Sequence, residues 1–274
     1  MNASAALKST TWRSASTVWR IWGAGPPVIL LHGGYGSWTH WLRTIPALTG
    51  KYTVLVPDMP GFGDSENPTL DNALEAIPGA LLGGLETLID INHGINIVGF
   101  SFGTVMAGQL AKLMNEVHPG KLLSLTFIAP AGLGFVTRSF EDLTRPRPDM
   151  SIAERREMHR KNLGIVMISD TSKITDETID LQFDNAARAR VYGKPYSRSD
   201  ALLRACAGLP LPQVDAIWGS KDSYALRNEP DYSVSVKALH PDIRVHHIDG
   251  AGHWVQYEKP QQLNSVLLDC LETR

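Results

Sequence analysis

The stretch INIVGFSFGTVMAGQL, residues 95–110, places a polar Ser101 between an apolar run and a helix-like segment. Gly99, Ser101 and Gly103 form the pattern G-x-S-x-G, in which a serine projects from a tight, strained turn at the carboxyl end of a strand. Side chains two positions on either side would collide in such a turn, so glycine is required at both. The pattern predicts that Ser101 is a nucleophile and that the following helix directs its positive end toward it.

Short apolar runs bounded by glycine and proline recur along the chain and predict buried strands of a parallel sheet. We predict these strands within residues 26–34, 53–56, 94–99, 122–132, 213–219 and 242–250. Helical spacing of apolar residues is seen at residues 70–91, from about 103 to 114, and at 261–272. The fold class is therefore α/β, with a mostly parallel central sheet flanked by helices.

The alternation of strands and helices stops after Gly132. Residues 138–150 are charged and rich in proline, as linkers often are, and Ser151 and Glu154 then have the spacing of a capping box. A second helix is predicted over residues 175–192, with one apolar face formed by Ile179, Phe183, Ala187 and Val191. We therefore divide the chain into a core, residues 1–132 and 205–274, and a helical cap (lid), residues 133–204, inserted before the acid-bearing strand.

A base and a carboxylate are needed to activate a serine hydroxyl. His253 is the best base, because it follows a strand and a glycine-rich loop near the end of the chain. Asp222, just past a strand, is the preferred orienting acid. Serine, acid and histidine then follow one another along the chain in the order that usually accompanies this elbow motif: Ser101, Asp222, His253. Asp215 precedes the apolar part of its strand and is a poorer candidate. Asp231 and Asp242 are weaker still.

Donors for a tetrahedral oxyanion are predicted in LHGGYGSW, residues 31–38, where glycines let backbone amides approach closely. We assign the oxyanion hole to the N–H groups of Phe102 and Gly34, with Gly33 as the fallback. A simple turn is the alternative interpretation of this segment.

Aromatic side chains near these motifs suggest an apolar substrate pocket, although each of them alone is as well explained as core packing. Arg190, with Arg188 beside it, could hold a substrate carboxylate, but a solvated helix face is the more frequent role of such residues. The substrate-binding candidates are Tyr35, Trp38, Phe100, Arg190 and Trp254. Phe102 either packs under the elbow or lines the acyl pocket.

Composition excludes several classes of protein. The chain has 274 residues, 26 basic and 28 acidic, and a formal charge of −2, so it lacks the electrostatic footprint of a nucleic-acid binder. Cys206 and Cys270 show neither metal-ligand spacing nor a disulfide framework. No apolar run is long enough to span a bilayer and no secretory signal is seen, so we expect a cytoplasmic protein without metal or organic cofactor. The sequence leaves the oligomeric state undecided, with a homodimer as one alternative.

The segments LLHGG, PDMPGFGDS, GFSFG, WGSKD and GAGHW occur in order over roughly residues 18–274 and resemble the α/β-hydrolase fold superfamily, in particular its capped serine hydrolases. GHWVQYEKPQQLN, residues 252–264, is similar to the C-terminal segment of the meta-cleavage product hydrolases, which cut C–C bonds in vinylogous 1,5-diketone acids. In that family a tryptophan follows the catalytic histidine, as Trp254 does here. The oxyanion segment and the residues around Ser101 differ from that family's usual pattern.

Three functions follow as hypotheses. The first is a serine hydrolase that cleaves a small to medium carboxylic ester through an acyl-enzyme on Ser101. The second is a C–C bond hydrolase that acts on a meta-cleavage (ring-fission) product, a ketone acid. The third is a non-catalytic ligand receptor on a hydrolase scaffold, against which the apparently intact triad argues.

Overall fold

The computed structural model describes residues 5–68, 70–135, 140–211 and 213–272. Of the predicted core and cap, residues 1–4, 69, 136–139, 212 and 273–274 therefore lie outside the described residues. The described strands are β1 (Ala6–Trp12), β2 (Ala15–Trp22), β3 (Pro27–Leu31), β4 (Thr53–Pro57), β5 (Ile95–Phe100), β6 (Leu122–Ile128), β7 (Val214–Gly219) and β8 (Arg244–Ile248).

The strands form one sheet in the order β1-β2-β4-β3-β5-β6-β7-β8. All pairs from β4 to β8 are parallel, whereas β1 pairs with β2, and β2 with β4, in antiparallel register. The predicted mostly parallel sheet is thus confirmed. Every residue of β3, β5 and β7 is buried, as expected for central strands covered on both faces.

The N-terminal hairpin of β1 and β2 was not predicted. The first four residues of β1 are all exposed, and the strand lies at the edge of the sheet, so its sequence carries no continuous apolar run. β2 is better buried and contributes Trp19 and Trp22 to the core. Within residues 5–22, two segments alternate apolar and polar residues, which was the signal for this hairpin. A search for fully apolar runs does not detect such alternation.

Helices cover the sheet and connect its parallel strands, in agreement with the predicted α/β class. The described helices are α1 (Ile45–Leu48), α2 (Ala73–Leu88), α3 (Phe102–Val117), α4 (Ile152–Val166), α5 (Asp176–Ala187), α6 (Lys194–Ser197), α7 (Ala201–Cys206), α8 (Ser223–Asn228), α9 (Asp231–Lys237), α10 (Val255–Glu258) and α11 (Pro260–Leu271).

The helices between β6 and β7 lie mostly in the segment predicted as a cap. The capping box of α4 is confirmed, because Ser151 N–H donates to the Glu154 carboxylate at 2.7 Å and Ser151 Oγ accepts from Glu154 N–H. The helix predicted over residues 175–192 is shorter: α5 ends at Ala187, and Arg190 N–H instead donates to the Gly61 carbonyl at 2.8 Å. This contact with the core turns the chain and removes Val191 from the predicted face. That residues 133–204 form a separate lid stays a prediction.

Candidate active site

The turn between β5 and α3 holds Ser101 in a backbone conformation with φ +52°. Such a conformation costs a non-glycine residue of the order of 1–3 kcal/mol and persists only where the surroundings enforce it. Here Ser101 N–H donates to the Ile128 carbonyl of β6 at 2.9 Å, and α3 begins immediately after the serine. The serine is half-buried, so its hydroxyl lies at the carboxyl edge of the sheet rather than inside the core.

Two glycines make this turn sterically feasible. A Cβ on Gly99 would lie 2.5 Å from the Gly103 carbonyl oxygen, and a Cβ on Gly103 would lie 2.5 Å from the His32 carbonyl oxygen. Both obstacles are backbone atoms, which cannot rotate away as a side chain could. The G-x-S-x-G pattern therefore reflects close packing of α3 against the end of β3.

Replacing Gly103 by alanine is expected to destabilise the fold by about 1–3 kcal/mol, the usual cost of forcing an extra methyl group into a packed site. Gly50→Ala is the matched control, because a Cβ at Gly50 meets nothing within 4 Å. Urea unfolding followed by circular dichroism measures the difference, and equal midpoints for the two variants would contradict this account of the turn.

The structure brings the three predicted catalytic side chains into one hydrogen-bonded chain. His253 Nε2 lies 3.0 Å from Ser101 Oγ, and His253 Nδ1 lies 2.8 Å from Asp222 Oδ2. The other carboxylate oxygen of Asp222 accepts from Tyr224 N–H at 2.8 Å, so the carboxylate also caps α8. Asp222 is fully buried and His253 is 5% exposed, which keeps the Nδ1 contact away from solvent. The arrangement is suited to withdraw a proton from the serine hydroxyl.

Asp215, the poorer candidate acid, lies near the start of β7, whereas Asp222 follows the end of that strand. Its carboxylate is bound by Arg244 through two contacts of 2.7 Å and by His246 Nε2 at 2.8 Å. Burial acts to raise the pKa of Asp215, but the hydrogen bonds from His246 and Arg244 outweigh it and lower that pKa. Asp215 is therefore engaged in an ion-pair network of its own.

Cys270 joins this network: ligand atoms of Asp215, His246 and Cys270 lie within 4.8 Å of one another, the only group of this kind in the described ranges. The guanidinium of Arg244 already takes both carboxylate oxygens, and its positive charge opposes a cation at the same place. Burial raises the pKa of the Cys270 thiol, which disfavours the thiolate that a metal needs. The donor set thus fits a structural ion pair better than a metal centre.

The predicted oxyanion donors lie next to each other. A Cβ built on Gly34 would be 3.7 Å from Phe102 Cβ, which brings this glycine against the residue that follows the serine. Neither amide, of Gly34 or of Phe102, donates a hydrogen bond to any residue that the structure describes. The fallback is different, because Gly33 N–H donates to His40 Nδ1 at 3.2 Å. The geometry therefore favours Gly34 over Gly33.

His32 and His40, which sequence analysis left without a role, hold the segment that carries Gly34. His32 Nε2 accepts from Met59 N–H at 3.1 Å and its Nδ1 donates to the Gly33 carbonyl at 2.9 Å. Burial lowers the pKa of His32, and burial with the nearby His32 and His253 lowers the pKa of His40 well below its usual value. Both rings are therefore neutral at neutral pH. His32 lies within the LHGG motif, whereas no motif surrounds His40, so only the structure reveals what the two rings contact.

Three of the predicted pocket aromatics are buried against other rings. Phe100 lies between His40 and His253, with ring centroids 5.4 and 5.2 Å away, and Trp254 stacks on Tyr257 at 4.2 Å. Trp38 is also buried and packs on Trp22 at 5.9 Å. Packing thus accounts for these residues without a ligand, and their contact with substrate stays a prediction.

Tyr35, in contrast, is 47% exposed beside the oxyanion segment and has φ +53°. Phe102 is buried and contacts Phe62 and Tyr196, with ring centroids 5.9 and 6.5 Å away. Tyr196 belongs to α6, so this helix lies over the residue that follows the nucleophile. Of the predicted aromatic pocket residues, Tyr35 has the most surface to offer a ligand.

The guanidinium of Arg190 is engaged with the loop that follows β4. It donates to Asn67 Oδ1 at 2.7 Å, to the Arg188 carbonyl at 2.9 Å and to the Ser65 carbonyl. Arg188 pairs with Asp64 at 2.6 Å and with Asp184. Either arginine would have to leave these partners to bind a substrate carboxylate, so the prediction for Arg190 gains no support from the geometry.

Tyr224 is a neighbour of the base that sequence analysis missed. Its ring centroid lies 4.6 Å from that of His253, two residues after the acid. Burial, followed by the charge of Asp222, raises the pKa of Tyr224 to about 12, so the phenol keeps its proton at neutral pH. Its position two residues after Asp222 was the only signal in the sequence.

Comparisons with known proteins agree with the fold and the motifs. The model of the alpha/beta hydrolase family matches residues 28–266. The chain is 28% identical over 267 residues to a 2-hydroxy-6-oxo-6-phenylhexa-2,4-dienoate hydrolase of Burkholderia cepacia, covering 91% of this chain and 88% of that protein. It is 27% identical over 266 residues to a 2-hydroxy-6-oxononadienedioate/2-hydroxy-6-oxononatrienedioate hydrolase of Comamonas testosteroni, with the same coverage.

Solved structures show the same fold with different activities. A meta-cleavage product hydrolase from Pseudomonas fluorescens superimposes with a TM-score of 0.78 at 24% identity, covering 98% of each chain. A bromoperoxidase from Bacillus anthracis superimposes with a TM-score of 0.72 at 22% identity, covering 98% of this chain and all of that one. Such likeness establishes the architecture, while the chemistry depends on the site.

Over residues 5–68, 70–135, 140–211 and 213–272, none of the helices combines the length and the apolar character that crossing a bilayer requires.

Proposed function

Because this chain belongs to the alpha/beta hydrolase family, we propose that it is a serine hydrolase that uses Ser101 as nucleophile, His253 as base and Asp222 as orienting acid. The observation that carries the proposal is the continuous hydrogen-bonded chain from Ser101 Oγ through His253 to Asp222, with contacts of 3.0 and 2.8 Å. The receptor hypothesis requires no such chain.

Ser101 Oγ attacks the substrate carbonyl carbon while His253 Nε2 takes the hydroxyl proton. Asp222 accepts the hydrogen bond from Nδ1, which fixes the tautomer and stabilises the imidazolium. The N–H groups of Gly34 and Phe102 donate hydrogen bonds to the carbonyl oxygen as negative charge develops on it. The leaving group departs with the proton from His253. Water then attacks the acyl-enzyme while His253 takes one of its protons, and His253 returns that proton to Ser101 Oγ as the bond from Oγ to the acyl carbon breaks and the acid leaves.

The bond that breaks can be C–O or C–C, and the two differ in the leaving group. An ester releases an alkoxide, which His253 protonates on oxygen. Carbon–carbon cleavage releases a carbanion. Its electron pair must be delocalised into a conjugated carbonyl system before a proton is added to the carbon. The relatives that are named for dienoate substrates favour this second reaction, in which the substrate is an acidic ring-fission product. The sequence alone had put ester hydrolysis first.

Positive charge near the site is consistent with an acidic substrate. Burial together with the neighbouring charges of Arg198 and Arg145 lowers the pKa of Lys194, which begins α6. In the described part of the chain none of these three cations pairs with a carboxylate. Because Tyr196 of the same helix packs on Phe102, with ring centroids 6.5 Å apart, we propose that Lys194 and Arg198, rather than Arg190, attract the substrate carboxylate.

Purified protein is expected to bleach the coloured dienolate of 2-hydroxy-6-oxo-6-phenylhexa-2,4-dienoate, and to hydrolyse p-nitrophenyl esters of varied acyl length more slowly. The visible absorbance of both series gives kcat/KM directly. Turnover of esters with an inert dienoate panel would instead establish the ester hydrolase. Inertness toward both series, together with failure of a fluorophosphonate to label Ser101, would favour the receptor hypothesis.

A further inference from the structure

Glu258, at the end of α10, is a buried carboxylate that the reaction outlined above does not use. Glu258 is only 2% exposed, and its carboxylate forms no ion pair with any residue that the structure describes; Lys173 Nζ donates instead to its backbone carbonyl, at 2.7 Å. Three backbone amides bind it instead: Gly252 N–H at 2.7 Å, Asp170 N–H at 2.7 Å and Ser169 N–H at 3.1 Å. A carboxylate that accepts several backbone N–H bonds is held in one orientation.

These amides come from two segments that are far apart in the sequence. Gly252 immediately precedes the base His253. Ser169 and Asp170 belong to residues 166–173, which run on from the last residue of α4 in the predicted cap and are called the strap here. Glu258 therefore bridges the strap to the backbone that carries the base, through both of its oxygens.

Further hydrogen bonds join the strap to the segments that carry His253 and Asp222. Trp254 N–H donates to the Met167 carbonyl at 2.8 Å, and Ser223 Oγ donates to the Val166 carbonyl at 3.1 Å. A Cβ on Gly252 would lie 2.7 Å from Ser169 N, so the two backbones touch. Residues next to the base and next to the acid are thus both attached to the strap.

We propose that Glu258 is a positioning residue for His253, and that it couples the strap to the catalytic base. The inference rests on the proposed function. His253 must keep Nε2 near 3 Å from Ser101 Oγ while Nδ1 faces Asp222, and its backbone is fixed on the preceding side by the Gly252 amide bound to Glu258. Without that anchor the loop can shift, and a displacement of about 1 Å at a reacting group can cost roughly a hundredfold in rate.

Glu258→Gln tests this coupling, because the amide keeps the size of the side chain but turns one acceptor oxygen into a donor that faces N–H groups. We expect kcat to fall by about 10²-fold with KM changed less than about threefold, since the site of binding is left in place. The control is Glu154→Gln. Glu154 also accepts a hydrogen bond from a backbone amide in the predicted cap, but it is exposed and remote from His253.

A second readout does not depend on turnover. The proton between His253 Nδ1 and Asp222 is expected to give a far-downfield NMR resonance in the wild-type protein and in Glu154→Gln, and to broaden or vanish in Glu258→Gln. If Glu258→Gln does not fold, Ser169→Pro removes one of the three N–H donors and leaves the carboxylate, and a smaller fall in kcat is expected.

Wild-type kcat and an unchanged resonance in a folded Glu258→Gln or Ser169→Pro protein, even with a lower Tm, would overturn the positioning role and leave Glu258 as a structural residue. Failure of the proposed function is seen separately, as a wild-type protein whose Ser101 neither turns over substrate nor reacts with a fluorophosphonate. In that case the resonance alone decides whether Glu258 orients His253.

Discussion

If the proposed function holds, Ser101→Ala is expected to lower kcat by roughly 10⁶-fold, the loss measured when the nucleophile of a known Ser-His-Asp enzyme is removed. The variant keeps the oxyanion amides and the base but has no oxygen with which to form an acyl-enzyme. Folding is expected to change little, because alanine meets the same φ of +52° as serine does. The decay of dienolate colour and the release of p-nitrophenol measure the loss.

Ser235→Ala is the matched control for that experiment, since Ser235 lies on α9, away from the elbow. Its kinetics should equal those of the wild-type protein. Residual turnover of Ser101→Ala within about tenfold of wild type would mean that another residue, or an activated water, performs the attack.

Asp222→Asn is expected to lower kcat by about 10⁴-fold, as the equivalent change does in a well-studied triad. The side-chain oxygen of asparagine can still accept from Tyr224 N–H and cap α8, so its NH₂ group is turned toward His253 Nδ1. An NH₂ donor there requires Nδ1 to be unprotonated, which puts the proton on Nε2. The imidazole then presents a donor to Ser101 Oγ and cannot accept its proton.

Stability provides the internal check on Asp222→Asn. Asparagine and aspartate are about equally good at helix N-caps, so the free energy of unfolding should change little. Asp231→Asn, at the exposed start of α9, is the control for loss of a negative charge. A loss of activity below about tenfold with a folded protein would show that Asp222 does not set the tautomer of His253.

Local sterics explain how much of the fold and site could be predicted from sequence. The elbow around Ser101 is visible because the strained turn demands glycine at positions 99 and 103, whatever lies elsewhere in the chain. The central strands are visible because burial on both faces leaves a continuous apolar run. β1 and the end of α5 were missed because an edge strand carries no such run and because Arg190 N–H finds its partner, Gly61, far back in the sequence.

The candidate site was predicted in part for the same reason. Chain order and loop position selected Asp222 and His253, and the structure places His253 in contact with Ser101 and Asp222 in contact with His253. The environments of Arg190, His40 and Glu258 could not be foreseen. The guanidinium of Arg190 binds loop carbonyls, His40 is buried behind the oxyanion segment, and the carboxylate of Glu258 gathers amides from the strap.

By itself, then, the sequence determined the central strands and the elbow serine, because these depend on sterics and spacing within a few residues. Chain order added the most suitable candidates for base and acid. Only the tertiary structure decided which backbone amides lie beside Ser101, which arginines are held by carboxylates and what surrounds His253. Those properties depend on hydrogen bonds and burial between residues far apart in the chain, such as Ser101 and His253, which are 152 positions apart. Fold compaction creates such contacts, and no local pattern encodes them.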